Sequence, residues 1–127
     1  MADLKLEGSP KTPTIEFNSG NGYLLIRGRS IPENSIEFYK SLIEALEAYN
    51  DSPQANTKVD IQLEYFNTSS SKCILDVFKK LEVINSGNSE VIINWHYEED
   101  DEDMLEAGED YQAIINIPFK MIEVEEE

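Results

Sequence analysis

Residues 59–84 read Val-Asp-Ile-Gln-Leu-Glu-Tyr-Phe-Asn-Thr-Ser-Ser-Ser-Lys-Cys-Ile-Leu-Asp-Val-Phe-Lys-Lys-Leu-Glu-Val-Ile, in which one pattern of apolar residues replaces another. Apolar and polar residues alternate over Val59–Tyr65, which predicts a half-buried strand. After Lys72 the apolar residues recur at intervals of three and four, which predicts a helix ending near Ser86-Gly87-Asn88. Between the two, the Asn67–Ser71 run supplies the polar side chains that cap helix N-termini. A strand that leads directly into a helix indicates an α/β unit.

The flanking segments continue this alternation. Upstream, the turn residues Asn18–Gly22 separate two short strand patterns and predict a hairpin. The sequence Ser30-Ile31-Pro32-Glu33 matches a capping box, with proline where its missing N–H costs little, and predicts the start of a helix that ends near Tyr49. The remaining predicted elements are strands at Thr14–Phe17, Tyr23–Arg29, Val91–Tyr97 and Ala113–Phe119 and a short helix from Met104 to about Glu109.

The predicted order is β-β-α-β-α-β-α-β. Strands joined through helices are expected to be parallel, with right-handed crossovers. Polar residues on one side of several strands leave one face of the sheet partly solvated. We therefore expect a two-layer α/β sandwich with a mixed, mostly parallel sheet of about five strands and helices mainly on one face. It is similar in outline to the anti-sigma-factor-antagonist (STAS-like) fold.

We expect one domain, at residues 14–122, between a loose leader (1–13) and an acidic tail (123–127). The 127 residues carry 26 acidic and 10 basic side chains, a formal net charge of −16. This charge disfavours nucleic acids and anionic membranes and is compatible with a basic protein partner. One cysteine, Cys73, excludes an internal disulfide and fits a reducing compartment. Without a signal peptide or an apolar run of about 18 residues, we expect a cytoplasmic protein with no membrane insertion.

The residue types that perform catalysis are sparse. His96 is the sole histidine, so no zinc cluster is expected. The acidic run Glu98–Asp103 lacks the spacing of an EF-hand loop and is typical of a solvated helix start. Cys73 lies within a helix pattern and is expected to be a buried, inert thiol. No phosphate-binding glycine loop or nucleophile elbow is present. The sequence therefore argues against an enzyme and predicts no cofactor or metal.

Three strand-to-helix junctions are expected at one edge of the sheet, because the ends of parallel strands coincide there. These are the segments Ser30–Asn34, Asn67–Lys72 and Glu98–Asp103, and this edge is where open α/β folds commonly bind ligands and partners. The four hydroxyls from Thr68 to Ser71 precede a helix, where free N–H groups favour an anion. Two interpretations remain open at this point: a switch controlled by phosphorylation, or a plain polar cap and turn.

Longer motifs extend over most of the chain, from about Ile15 to Phe119. They are Leu25-Ile26-Arg27-Gly28-Arg29-Ser30-Ile31-Pro32-Glu33-Asn34, then Phe38-Tyr39, then Tyr65-Phe66-Asn67-Thr68-Ser69-Ser70-Ser71-Lys72, then Asp100-Asp101-Glu102-Asp103-Met104-Leu105-Glu106-Ala107-Gly108-Glu109-Asp110. These motifs resemble those of the SiaC-family bacterial regulatory phosphoproteins. This resemblance implies a non-enzymatic protein of a partner-switching pathway. It implies phosphorylation of Thr68 by a serine/threonine kinase and dephosphorylation by a metal-dependent phosphatase. The unphosphorylated form would bind and activate a diguanylate cyclase, raising cyclic di-GMP and promoting biofilm formation or aggregation.

The partner-binding residues are expected in the three loops at the sheet edge. They are Ser30, Pro32, Glu33, Asn34, Asn67, Ser69, Ser70, Ser71, Lys72, Asp100, Asp101 and Asp103. Two alternatives belong to other classes of protein. One is an anti-sigma-factor-antagonist-like protein that binds an anti-sigma kinase, although such antagonists usually carry an Asp-Ser-Ser-Gly type of site where this chain has Asn67-Thr68-Ser69-Ser70. The other is a small metal-dependent enzyme that uses the acidic loop.

Overall fold

The computed structural model describes residues 3–87 and 89–125, which form a single six-stranded sheet and three helices. The strands lie side by side in the order in which they occur along the chain. Their bounds are β1 Leu4–Leu6, β2 Thr14–Asn18, β3 Tyr23–Ser30, β4 Asn56–Phe66, β5 Glu90–Glu98 and β6 Phe119–Val124, and the helices are α1 Ser35–Tyr49, α2 Thr68–Ser86 and α3 Glu102–Ile114.

The sheet is mixed. The pairings β1–β2 and β2–β3 are antiparallel, whereas β3–β4, β4–β5 and β5–β6 are parallel. Each parallel pair is connected through one helix, and all three connections step in the same direction across the sheet. Right-handed crossovers that step in one direction place their helices on the same face. The predicted mixed α/β fold is confirmed, with one strand more than expected, while its likeness to the STAS-like fold stays a prediction.

The core lies between the sheet and the three helices. It is built from the alternate residues of β2 to β5 that face the helices and from one apolar stripe on each helix. Trp95 is fully buried at its centre and contacts the rings of Phe66, Phe78 and Tyr111. The indole Nε1 donates a hydrogen bond to the carbonyl of Met104 at 2.9 Å. This bond fixes the first turn of α3 against β5.

The prediction of a last strand at Ala113–Phe119 is wrong. Ala113 and Ile114 continue α3, and β6 begins only at Phe119. The apolar residues Ile115 and Ile117 alternate as in a strand, and both are buried in the connection between helix and strand. The alternation reflects the burial of these two side chains and not hydrogen bonding to a neighbouring strand. Pro118 has no backbone N–H and cannot donate such a hydrogen bond. The predicted short helix from Met104 is accordingly longer than expected at both ends.

The chain ends also differ from expectation. Leu4–Leu6 lies within the predicted leader and forms an edge strand, because Leu4 and Leu6 pack against the core. At the other end Glu123 and Val124, expected in the tail, belong to β6. Residues 1, 2, 88, 126 and 127, which include parts of the predicted leader, helix end and tail, lie outside the described residues.

The face of the sheet that the helices leave uncovered carries a cluster of polar side chains. At its centre the Asp60 carboxylate accepts hydrogen bonds from the Tyr23 hydroxyl and the Asn94 amide, both at 2.9 Å, with His96 Nε2 at 3.4 Å. Burial raises the pKa of Asp60, but these hydrogen bonds favour the carboxylate more strongly, so its pKa is lowered overall. The cluster joins β3, β4 and β5 from the solvent side.

Candidate functional site

The three strand-to-helix junctions lie at one edge of the sheet, as the parallel order predicted. Ser30 ends β3 and pairs with Phe66 at the end of β4, while Glu98 ends the neighbouring strand β5. The amide of Asn67 donates to the carbonyl of Ser30 at 3.1 Å, which ties the second junction to the first. The hydroxyl run of α2 therefore starts between the loop that precedes α1 and the acidic loop that precedes α3.

Asn67 caps α2. Its backbone is extended, and its side-chain Oδ1 accepts from the amide of Ser70 at 2.9 Å. The amide of Ser71 donates to the Asn67 carbonyl at 3.0 Å. The cap satisfies part of the first turn of the helix and fixes where the following hydroxyls point. Of the polar residues in the Asn67–Ser71 run that could cap the helix, the structure uses Asn67.

The four hydroxyls of the run occupy different environments. Thr68 is exposed, and within residues 3–87 and 89–125 its hydroxyl has no hydrogen-bond partner. Ser69 is exposed, but its Oγ lies 2.7 Å from Ser35 Oγ and donates to Asn67 Oδ1 at 3.2 Å. Ser70 is fully buried, and Ser71 is half-buried and donates to the carbonyl of Thr68 at 2.8 Å. Thr68 thus carries the one hydroxyl of the run that no described residue engages.

A chain of buried hydroxyls lies beneath this surface. Ser30 Oγ donates to Ser70 Oγ at 2.8 Å, and Ser70 Oγ donates to the Ser30 carbonyl at 3.0 Å. Ser35 Oγ lies 3.3 Å from Ser70 Oγ, which joins α1 to the same group. Tyr39 completes the chain, with its hydroxyl 2.6 Å from Ser30 Oγ. The ends of β3, α1 and α2 are therefore held together by side-chain hydrogen bonds in addition to packing.

The donor of the hydrogen bond between Tyr39 and Ser30 follows from the other bond that Ser30 makes. Ser30 has one proton and gives it to Ser70, so Tyr39 is the donor to Ser30. Burial raises the pKa of the Tyr39 phenol to about 12, although the hydrogen bond with Ser30 opposes this shift. The phenol consequently keeps its proton at neutral pH and remains a donor.

The first of the three junctions differs from its prediction. Helix α1 begins at Ser35, and its N-cap is Asn34, whose Oδ1 accepts from the amide of Glu37 at 3.2 Å. Ser30 is not the cap, because it continues the pairing of β3 and uses its hydroxyl in the buried chain. Pro32 is buried in the connecting loop, whereas Glu33 and Asn34 are exposed.

The acidic loop is organised around Asp101. Its Oδ1 accepts from the amide of Met104 at 3.0 Å, so Asp101 is the N-cap of α3. Asp100, Glu102 and Asp103 are exposed, and the last two lie in the first turn, where carboxylates suit the helix dipole. Within the described residues, no three or more carboxylate, imidazole or thiol side chains are arranged so that they could hold one metal ion. The loop is thus built as a charged helix start.

Three residues of the site escaped prediction. Ser35 is nearly fully buried and contacts the hydroxyl run, and Tyr39 is buried and contacts Ser30 Oγ. Nothing in the local pattern of α1 distinguishes their hydroxyls from ordinary helix residues, because the contacts span 9 to 35 positions along the chain. Tyr111 is a third such contact, since its hydroxyl donates to the carbonyl of Ser71 at 2.8 Å.

A two-layer α/β fold that presents one unpartnered hydroxyl at a helix start, beside a charged loop, is suited to a signalling protein that is modified on that hydroxyl. Comparison with known families agrees. The model of the SiaC family regulatory phosphoproteins matches residues 6–124, and the chain belongs to this family. Membership confirms the resemblance that the sequence motifs indicated.

The similar proteins come from Pseudomonas aeruginosa. The chain is 34% identical over 119 residues to an uncharacterised protein of strain UCBPP-PA14, a match that covers 94% of each. It superposes with a TM-score of 0.88 and 32% identity on a chain in the crystal structure of the diguanylate cyclase SiaD in complex with its activator SiaC, covering 96% of this chain and 100% of that one. Apo-SiaC gives a TM-score of 0.86 at 32% identity, covering 96% of this chain and 99% of that one.

Within the described ranges, no helix combines the length and the apolar character needed to cross a membrane.

Proposed function

We propose that this protein is a non-enzymatic signalling switch, reversibly phosphorylated on Thr68, whose unphosphorylated form binds and activates a diguanylate cyclase. Its family consists of regulatory phosphoproteins. The similar SiaC of P. aeruginosa is an activator crystallised with the cyclase SiaD. The observation that carries the proposal is the exposed Thr68 hydroxyl, the one member of the run that has no protein partner in the described part of the chain.

The docking surface would be formed by the exposed residues of the three junctions. Burial divides the residues that the sequence nominated. Ser30, Pro32 and Ser70 are buried and would act by positioning the loops rather than by touching a partner. The exposed members are Glu33, Asn34, Ser69, Lys72, Asp100 and Asp103, which surround the proposed acceptor Thr68, whereas Asn67, Ser71 and Asp101 are half-buried.

Electrostatics supplies the switch. A phosphate on Thr68 would add about −1.5 to −2 charges at the start of α2. The free N–H groups of the first turn and the exposed Lys72 would hold it there. The strand that precedes the acidic loop lies directly beside the strand that precedes Thr68, so the phosphate would extend an already negative edge. A partner that docks against a neutral hydroxyl would then face desolvation of a dianion and repulsion between like charges.

Two further partners follow from this cycle. A serine/threonine protein kinase would transfer the phosphoryl group to Thr68, and a metal-dependent phosphatase would remove it. Because Thr68 is exposed at a helix start, either enzyme would reach it without unfolding α2. We place this cycle of phosphorylation and dephosphorylation in the cytoplasm, where nucleoside triphosphates and the cyclase substrate are available.

Two measurements test the proposal. Intact mass and fragment mapping of the protein from its own cells should locate a single phosphoryl group on Thr68. Binding to the cognate cyclase should be retained by Thr68→Ala and weakened at least tenfold by Thr68→Asp. Ser52→Asp adds the same charge in the exposed loop between α1 and β4, at the opposite edge of the sheet, and should leave binding unchanged.

Full cyclase binding by Thr68→Asp and by the phosphorylated protein would contradict the switch. In the same pull-down, capture of an anti-sigma kinase in place of the cyclase would support the anti-sigma-factor-antagonist alternative.

A further inference from the structure

Thr68 and Ser69 are neighbouring exposed hydroxyls, yet the structure treats them differently. Both lie in the first turn of α2, and both side chains are open to solvent. A kinase that reaches one of them comes within a residue of the other. Exposure alone therefore does not explain why one hydroxyl of this pair would be modified and the other spared.

The difference lies in the hydrogen bonds of Ser69. Its Oγ donates to Asn67 Oδ1 at 3.2 Å, so its proton is engaged. The 2.7 Å contact with Ser35 Oγ adds a second hydrogen bond, in which either oxygen can be the donor. In phosphoryl transfer, a lone pair of the acceptor hydroxyl forms the new O–P bond with the γ-phosphorus of a nucleoside triphosphate, so Ser69 must first give up these two contacts and turn toward the kinase. The hydroxyl proton goes to a base of the kinase, and the bond to the leaving nucleoside diphosphate breaks.

Ser35 is well placed to keep Ser69 in this state. It is only 3% exposed, it belongs to α1 rather than to the hydroxyl run, and it directly follows the N-cap Asn34. Its Oγ also lies 3.3 Å from Ser70 Oγ, which is fully buried. A residue fixed by a helix start and by a buried neighbour holds its partner more firmly than an exposed side chain does.

We propose that Ser35 is a specificity-determining residue, which withholds Ser69 from phosphorylation so that Thr68 is the single acceptor of the run. Ser35 acts through Ser69 and contacts no reacting atom, so it is a positioning residue. The inference rests on the proposed function, since it concerns the choice of acceptor by the same kinase.

The test looks for new phosphorylation of Ser69. A variant that merely impaired recognition of the run by the kinase would lose phosphate and would not gain it. Thr68→Val removes the acceptor while keeping its shape, and this variant purified from its own cells should carry only a low occupancy of phosphate on Ser69. The double variant Thr68→Val/Ser35→Ala should carry phosphate on Ser69, at an occupancy about fivefold or more above that of Thr68→Val, as expected for the loss of one ordinary hydrogen bond. Fragment mapping by mass spectrometry measures both.

Three companion variants make the outcome decisive. Thr68→Val/Ser35→Thr keeps the hydroxyl at position 35 and should show the same low occupancy on Ser69 as Thr68→Val. Thr68→Val/Ser41→Ala removes a hydroxyl elsewhere on α1 and should also show this low occupancy. If alanine at position 35 prevents folding, Ser35→Cys replaces it, because a thiol of similar size is a weaker donor.

The outcomes separate the two proposals. A wild-type protein phosphorylated on Thr68, together with a double variant whose Ser69 occupancy stays at that of Thr68→Val, overturns the role of Ser35 and leaves the switch standing. A wild-type protein that carries no phosphate in any growth state overturns both.

Discussion

Ser30 and Ser70 lie 40 positions apart in the chain, and their hydroxyl oxygens lie 2.8 Å apart in the fold. Both side chains are fully buried, and each residue donates one hydrogen bond to the other. This reciprocal pair joins the end of β3 to the first turn of α2. It therefore holds the segment that presents Thr68 to solvent.

Removing one member of this pair should destabilise the protein. In Ser70→Ala the Ser30 hydroxyl loses its acceptor in a site without solvent, and an unsatisfied buried donor costs about 1–3 kcal/mol. Urea unfolding should show this loss, and amide exchange of residues 67–72 should accelerate. Ser86→Ala is the matched control, because Ser86 lies at the exposed end of the same helix and should change stability by less than about 0.5 kcal/mol. Equal stabilities for the two variants would contradict this account.

Gly108 is required by the packing of α3 on Trp95. A Cβ at this position would lie 2.6 Å from Trp95 Cδ1 and 2.7 Å from Nε1. Because the indole is fully buried and donates to the Met104 carbonyl, it has no room to move. Gly108→Ala should cost about 1–3 kcal/mol from overpacking, although alanine is the better helix former. Thermal unfolding measures this, with Trp95 fluorescence reporting the displaced ring.

Gly87→Ala is the control for this prediction. A Cβ there would meet its nearest atom, the Val83 carbonyl oxygen, at 3.5 Å, which is an ordinary contact. The backbone φ of Gly87 is −96°, so alanine meets no left-handed strain there. A loss of stability at position 87 as large as that at position 108 would refute the packing argument.

Much of this architecture was predictable, because the signals are local and mutually consistent. The Asn18–Gly22 turn, the alternation of β4 and the capped stripe of α2 each specify one element, and parallel order then gathers their ends at one edge. The wrong predictions arise where one sequence pattern is compatible with two different structures. Ile115 and Ile117 alternate because they are buried in a connection, and Ser30 has the chemistry of a helix cap but uses it in the core.

The distinction among the hydroxyls of the Thr68–Ser71 run lay beyond local sequence. In the sequence they are four similar residues in a row. Their separation into one free, one tethered, one buried and one half-buried hydroxyl is made by Ser35 of α1 and Ser30 of β3, which meet the run only after folding. Tertiary contacts of this kind leave no periodic trace in a single sequence.

Stability should fall in acid because of Asp60. Its folded-state pKa is lowered by hydrogen bonds from Asn94, Tyr23 and His96, which outweigh the opposing effect of burial. A carboxyl group with a lowered folded-state pKa stabilises the protein fully above its unfolded pKa of about 3.9, and this stability is lost as the pH falls toward the folded value. Asp60→Asn should flatten this part of the profile.

Urea unfolding from pH 6 to pH 2 measures the effect. Asp76→Asn is the control, because Asp76 is an exposed residue of α2 and should leave the acid slope near that of wild type. An unchanged slope in Asp60→Asn, with a reduced slope in the control, would exclude the Asp60 cluster as the source.

The acidic loop offers a way to separate helix capping from partner recognition. Asp101 caps α3 through an oxygen that an asparagine side chain also provides, so Asp101→Asn should keep the fold, whereas Asp101→Ala should cost about 0.5–2 kcal/mol. Asp100 and Asp103 are exposed, so Asp100→Asn and Asp103→Asn should be nearly neutral for stability. The triple asparagine variant thus removes three charges from a folded protein.

If these carboxylates contact a basic surface of the cyclase, the triple variant should bind it several-fold more weakly at low salt. The difference from wild type should shrink as ionic strength rises, because exposed charges are screened over about 8 Å at physiological salt. The matched control converts Asp51, Glu90 and Asp3 to their amides, which removes equal charge from exposed positions away from this edge. Weakening of both variants to the same extent would assign the effect to net charge, and no weakening of either would leave the loop as a solvated helix start.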